Sequence, residues 1–127
     1  MKYYIGIDPG KFGFVSIIDQ DGKFVSAFPL LKNNKVVDVN EIVNNLFDLS
    51  IYEDNCHIIL EDVHSIFGSS AKSNFHFGWI VGLIEGVISS LGISYTKIAP
   101  KTWQKQMHQG IPKNDNKKVM SFMACHR

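Results

Sequence analysis

Residues 3–29, YYIGIDPGKFGFVSIIDQDGKFVSAFP, limit what this chain can fold into more than any other stretch. Tyr, Ile, Phe and Val recur there with the period of two that marks strands with one buried face. Two turn signals interrupt the pattern. One is Asp8-Pro9-Gly10, and the other is Asp19–Lys23, where Gly22 is free to take positive φ. Turns this short reverse the chain, so residues 2–8, 12–18 and 23–31 are expected to open the domain as three antiparallel strands. The first turn also receives a single carboxylate, Asp8, from the end of an apolar run. Asp8 reads either as a turn starter or as a functional acid.

The remaining elements follow from spacing. Asp38 and Glu41 form a capping box ahead of Val39, Ile42, Val43, Leu46 and Phe47, which recur at helical intervals. CHIIL, residues 56–60, is a short apolar strand expected to be central and covered on both faces. It runs into Glu61 and Asp62. From about Asn74 to Leu91 a second helix is apolar nearly all round, with Gly78, Gly82 and Gly86 four apart. Small residues on one face let another backbone approach closely, so this helix reads as buried or dimer-forming. His76 and Glu85 interrupt it before any apolar stretch reaches membrane-spanning length. ISYTKIAP gives a last strand, PKTWQKQMH a short helix, and residues from Pro112 a further helix. The sequence predicts an α/β domain: a mixed five-stranded sheet, its first three strands antiparallel, with helices on its faces.

At 127 residues the chain is sized for one domain, and 45% hydrophobic with 20% charged residues fits a globular protein. Lys2 is followed at once by the alternating pattern, so no signal segment is read at the start. Cys56 and Cys125 show neither ligand spacing nor a disulfide framework, which favours a reducing, cytoplasmic setting. Charge is unevenly spread. Residues 1–92 hold six Lys and eleven Asp or Glu, a net −5, while residues 93–127 hold six Lys, one Arg and one Asp, a net +6. An acidic part beside a basic part suits a protein that sets metal ions against a polyanion, and equally a solvated lysine face.

Asp8 and Glu61 each end an apolar strand and precede a loop. If those strands are neighbours, the two acids meet at one edge of the sheet. Carboxylates held that close repel unless a cation lies between them, and hard divalent ions take such oxygen ligands. Ions so held activate water and stabilise a leaving oxygen in phosphodiester hydrolysis. Asp62 is the rival to Glu61, but adjacent strand residues face opposite ways, so only one of them joins Asp8. Glu61 directly follows HIIL and has the longer reach.

IGIDPG in the first strand, IILEDV in the fourth, the helix FHFGWIVGLIEGVI and then APKTWQK together resemble the RuvC-type Holliday-junction resolvases. PKTWQK after the fifth strand looks closest to the phage-like members. The resemblance runs over essentially the whole chain. It implies an RNase H-like fold, a homodimer, and Mg²⁺-dependent cleavage at four-way DNA junctions, with Mn²⁺ as a substitute. The family's first-strand aspartate falls on Asp8 and its fourth-strand glutamate on Glu61. Its junction-inserting loop falls on HSIFGSS, where Phe67 is the first wedge candidate and His64 the second.

Resolvases of this type complete the metal site with further acids on a C-terminal helix. Here the only late acid is Asp115, better placed to cap a helix, and the sequence stops at Arg127. The domain is therefore expected to be C-terminally truncated relative to the family, without its acidic helix. Lys101, Lys105, Lys113, Lys117 and Lys118, with Trp103 and Gln104 among them, suit DNA phosphates as compact charges. Lys11, Lys72, Ser69 and Ser70 join them as candidate DNA contacts, with Ser73 placed to cap the second helix. Gly78, Gly82 and Gly86 are the candidate dimer face. His57 reads as a satisfied or edge residue. A branch-binding protein that has lost catalysis is the alternative function. An actin- or sugar-kinase-like ATPase fits worst, because its glycine turn offers Thr or Ser to phosphate where this chain has Lys11 and Phe12, and it needs a second domain.

Overall fold

The computed structural model describes all of residues 1–127 except 34, 35, 65–67, 114, 115, 117–119, 121, 122 and 124–127. Phe67, Asp115, Lys117, Lys118 and Cys125 therefore lie outside the described residues.

Strands β1 (Tyr3–Asp8), β2 (Phe14–Asp19) and β3 (Phe24–Pro29) form the expected antiparallel meander. Each reversal has a visible cause. After Asp8 the chain doubles back at Gly10, which takes φ 130°, and Gly13 N–H donates to the Gly10 carbonyl at 3.1 Å. A Cβ on Gly13 would overlap the Asp8 carbonyl oxygen and sit 2.7 Å from Leu30 Cδ1. Only glycine fits. At the second reversal Asp19 Oδ1 accepts from the Asp21 and Lys23 amides, each at 2.9 Å, while Gly22 takes φ 79°.

Helix α1 (Val39–Phe47) starts at Asp38, whose Oδ1 accepts from the Asn40 and Glu41 amides. The capping box is only half built. Glu41 Oε1 takes the Lys32 amide at 2.8 Å, so it ties the incoming loop to the helix. A 3₁₀ segment, Asp48–Asn55, which no sequence signal announced, leads into β4 (Cys56–Glu61). Helix α2 (Ala71–Ser90) begins three residues before the expected position: Ser70, not Ser73, is the cap, accepting the Ser73 amide at 3.1 Å. β5 (Tyr95–Ile98) and α3 (Pro100–Met107, Pro100 at its first turn) follow.

The sheet order is β3-β2-β1-β4-β5, with β4 parallel to both β1 and β5. β1 is thus central, between β2 and β4. On one face Ile5, Ile7, Val15, Ile17, Ile58 and Leu60 form a sealed core with Ile42 and Leu46 of α1 and Ile80, Ile84 and Ile88 of α2. On the other face α3 contributes Trp103 beside Gly6, Ser16 and Ile59, but cover is thin: Phe14 is 47% and Ile18 39% exposed. The expectation that β4 is covered on both faces is therefore corrected. Its burial alternates, with Cys56, Ile58 and Leu60 inside and His57, Ile59 and Glu61 half-buried opposite them. Helix α2 is also less buried than its composition suggested, since only Ile80, Ile84, Val87 and Ile88 are enclosed. Among the described residues no helix is long and apolar enough to cross a membrane.

Candidate active site

The register of β1 on β4 pairs Ile7 with Leu60, so the next residues along, Asp8 and Glu61, end the two strands side by side. Parallel neighbours lie about 5 Å apart. Both residues belong to the thinly covered face, because alternation along each strand turns them away from Ile7 and Leu60. Their contact is electrostatically expensive. Asp8 is pushed up from 3.8 to about 6, first by burial, then by the negative charge of Glu61, then by a hydrogen bond between the two side chains. A carboxyl that keeps its proton up to about pH 6 beside a second carboxylate can exchange that proton for a cation.

Asp62 points elsewhere. Lys97 Nζ lies 3.7 Å from Asp62 Oδ1 and 3.2 Å from Glu85 Oε2, and Tyr95 O–H donates to Glu85 Oε1 at 3.0 Å. This cluster straps α2 to β5 on the core side. Its hydrogen bonds from Lys97 and Tyr95 hold the Glu85 carboxyl below its ordinary range, and Glu85 in turn raises Lys97. Lys97 was part of the basic balance counted in the last third, but it is committed at home.

The carboxylate pair opens into a cleft of ≈ 420 Å³ lined by Gly6, Ile7, Asp8, Phe14, Ser16, Ile59, Glu61, Ile98 and Trp103. Trp103, read from sequence alongside the DNA-facing lysines, has another partner here. Its Nε1–H donates to Glu61 Oε1 at 3.0 Å, and its ring meets buried His108 edge-on at 6.2 Å. No sequence signal pointed to this contact, because the two residues are 42 positions apart and meet only through β5 and α3.

The other candidate contacts lie on several elements. Lys11 is half-buried in the β1–β2 turn with its Nζ 5.7 Å from the Phe12 ring centre. Ser69, Ser70 and Lys72 are exposed at the start of α2. Lys101 lines a second cleft of ≈ 500 Å³ with Asp62, Val63, His64, Phe77, Ala99 and Pro100. Lys105 and Lys113 are exposed, and Lys72, Lys101, Lys105 and Lys113 pair with no acid among the described residues. Gly78, Gly82 and Gly86 are exposed, and a Cβ on any of them would meet open space. Phe75 and Trp79 stand on the same helix, 81% and 44% exposed. His57 is satisfied, its Nδ1 2.8 Å from Ser94 Oγ and its Nε2 2.7 Å from Thr96 Oγ1.

A hard divalent cation fits the donor set of Asp8 and Glu61, two adjoining carboxylates lining one cleft. Among the described residues no group of three or more His, Cys, Asp or Glu forms a fuller ligand set.

No protein-family model matches the chain, and no curated protein matches it in sequence. Solved structures do match in shape. RuvC of T. thermophilus in complex with a Holliday junction substrate superposes with a TM-score of 0.67 at 14% identity, over 98% of this chain and 89% of that one. A second Thermus thermophilus RuvC structure gives a TM-score of 0.57 at 16% identity, over 98% and 92%. The fold is that of RuvC, the mixed RNase H-like sheet.

Proposed function

We propose that this chain is a structure-selective endonuclease that hydrolyses phosphodiester bonds at four-way or branched DNA junctions, using Mg²⁺ or Mn²⁺ and acting as a homodimer. The observation that carries this reading is the placement of Asp8 beside Glu61 at the ends of adjacent parallel strands, where burial and then the charge of Glu61 raise Asp8 to about 6. Asp8 and Glu61 would hold the cation, with waters and a substrate phosphate as its other ligands. Once bound, such an ion supplies charge neutralisation at the phosphate and a more acidic water. The protein's own part is to keep two carboxylates converged at the mouth of a cleft and to align the backbone against them. Lys101, Lys105 and Lys113, joined by Lys117 and Lys118, serve as point charges for phosphate, with Lys11, Ser69, Ser70 and Lys72 as further DNA contacts. Phe67 is the proposed wedge at the branch point.

A RuvC of the same fold was captured on a Holliday junction, which supports branched DNA as the ligand. The dimer would form through the exposed face of α2. Mid-helix glycines cost stability, and at Gly78, Gly82 and Gly86 nothing among the described residues needs the space. A two-fold contact there would give the paired active sites that a four-way junction needs. Gly82→Leu is expected to shift sedimentation from dimer to monomer.

A second reading is a branch-binding protein with weak cutting, favoured by the lack of a third acid near Asp8 and Glu61 among the described residues. One experiment separates the two. The chain and its Asp8→Asn variant are incubated with a labelled four-way junction and a matched linear duplex, with and without Mg²⁺. Cleavage of the junction by the parent and not by the variant, with binding retained, establishes the nuclease. Selective binding without cleavage establishes the second reading. In that case, appending an acid-bearing C-terminal helix is expected to raise the cutting rate. Equal affinity for both DNAs at matched salt would refute both. Binding should weaken steeply with salt, because phosphate contacts release counterions.

A further inference from the structure

We infer that Trp103 is a positioning residue for cation binding: its indole N–H fixes the Glu61 carboxylate beside Asp8. The inference rests on the proposed metal site and adds a part to it.

Glu61 is a three-torsion side chain at the end of a strand, half-buried and facing a solvent-filled cleft. Left alone, its carboxylate would sample several rotamers and also swing away from the negative Asp8. The hydrogen bond from Trp103 Nε1 at 3.0 Å removes that freedom without adding charge. A lysine or arginine at this place would itself neutralise the carboxylate and compete with a cation. Indole is an uncharged group that only donates, so it orients Glu61 without competing with a cation.

The donor is itself held. Ile98 pairs with Glu61 in the sheet, and the Asp62 amide donates to the Ile98 carbonyl at 2.8 Å, which fixes where β5 ends. Ala99 is extended (φ −65°, ψ 143°), Pro100 opens α3, and the Thr102 and Trp103 amides both donate to the Ala99 carbonyl. Trp103 therefore falls one turn into α3, within reach of Glu61, the partner of the last residue of β5. His108, buried at the end of the same helix, meets the ring edge-on. Residues that hold a metal ligand by its second polar contact typically change metal affinity by about 10–100-fold when lost.

The test uses the full chain without DNA. Mn²⁺ binding is measured by electron paramagnetic resonance for the parent, Asp8→Asn and Trp103→Phe, the last keeping the ring and losing the N–H. The expected result is binding by the parent, none by Asp8→Asn, and about tenfold weaker binding by Trp103→Phe at unchanged melting temperature. A purely packing role would leave Trp103→Phe with parental affinity, and that outcome overturns the inference while the metal site stands. No Mn²⁺ binding by the parent overturns the site and the inference together. A second readout needs no Trp103 variant. In the ¹H–¹⁵N spectrum the Trp103 indole resonance should lie downfield in the parent and move towards the free-indole position in Glu61→Ala, which removes the acceptor. It should also shift on adding Mg²⁺. An indole resonance indifferent to both changes overturns the hydrogen bond as a positioning device.

Discussion

The two faces of the central sheet are made from alternate residues of the same strands, yet they obey different physics. Ile5, Ile7, Ile58 and Leu60 pack against α1 and α2 and are at most 3% exposed. Alternating with them, Gly6, Asp8, Ile59 and Glu61 line a cleft bounded by Trp103. The first face is dry and apolar, and its geometry follows from packing. The second tolerates two carboxylates whose mutual repulsion costs stability, and its polar groups are arranged by individual hydrogen bonds. The difference teaches where to look for function: on the face where the chain gives up favourable burial for converging charge.

Neighbouring residues on β4 give the largest expected contrast. Ile58→Ala removes a fully buried side chain and should cost about 2–5 kcal/mol in denaturant unfolding. Ile59→Ala, on the half-open face, should cost about 1 kcal/mol or less, since most of its cavity term is relieved by solvent. Equal costs would mean that the second face is packed as a core. Two glycines sharpen the comparison between an enforced approach and an open surface. Gly13→Ala should destabilise by about 1–3 kcal/mol, as the added methyl has no room beside the Asp8 carbonyl and Leu30. Gly82→Ala should go the other way, adding up to about 1 kcal/mol of helix stability to the isolated chain. At the same time it should weaken any self-association through α2.

The carboxylate pair supplies a smaller effect with a definite pH dependence. Asp8 has its folded value raised from 3.8 to about 6, so between those values the folded chain keeps a proton that the unfolded chain has released. Stability of the metal-free protein therefore falls as pH rises through that window and levels off above it. Asp8→Asn should remove the slope and be more stable than the parent at pH 7, with the two converging below pH 4. Screening at this solvent-facing edge holds the gain to about 1 kcal/mol or less. Thermal melts across pH test it, and added Mg²⁺ should restore the parent most strongly above pH 6. Last in size is the polar strap on the core side. Lys97→Met breaks contacts to Glu85 and Asp62 that are partly exposed, and should change unfolding free energy by a few tenths of a kcal/mol.

What the sequence determined by itself is the part written in local patterns. Strand alternation, the turn chemistry at Asp8–Gly13 and Asp19–Lys23, and the cap at Asp38 each act within a few residues, so the meander, the sheet and the placement of α1 were legible. The pairing of Asp8 with Glu61 was also legible, since two strands ending in acids need only lie side by side, and alternation then sets Asp62 on the opposite side, where it meets Lys97. Composition misled where burial depends on partners from elsewhere. CHIIL is apolar enough for two covered faces, but no described helix closes the second one as α1 and α2 close the first. The capping box at Asp38 failed for a similar reason: the Lys32 amide, brought in by the preceding loop, took Glu41. Tertiary structure alone decided what Trp103 does. Its hydrogen bond to Glu61 depends on how β5 ends and how α3 turns back over the sheet, and that geometry exists only once β4 and β5 are paired.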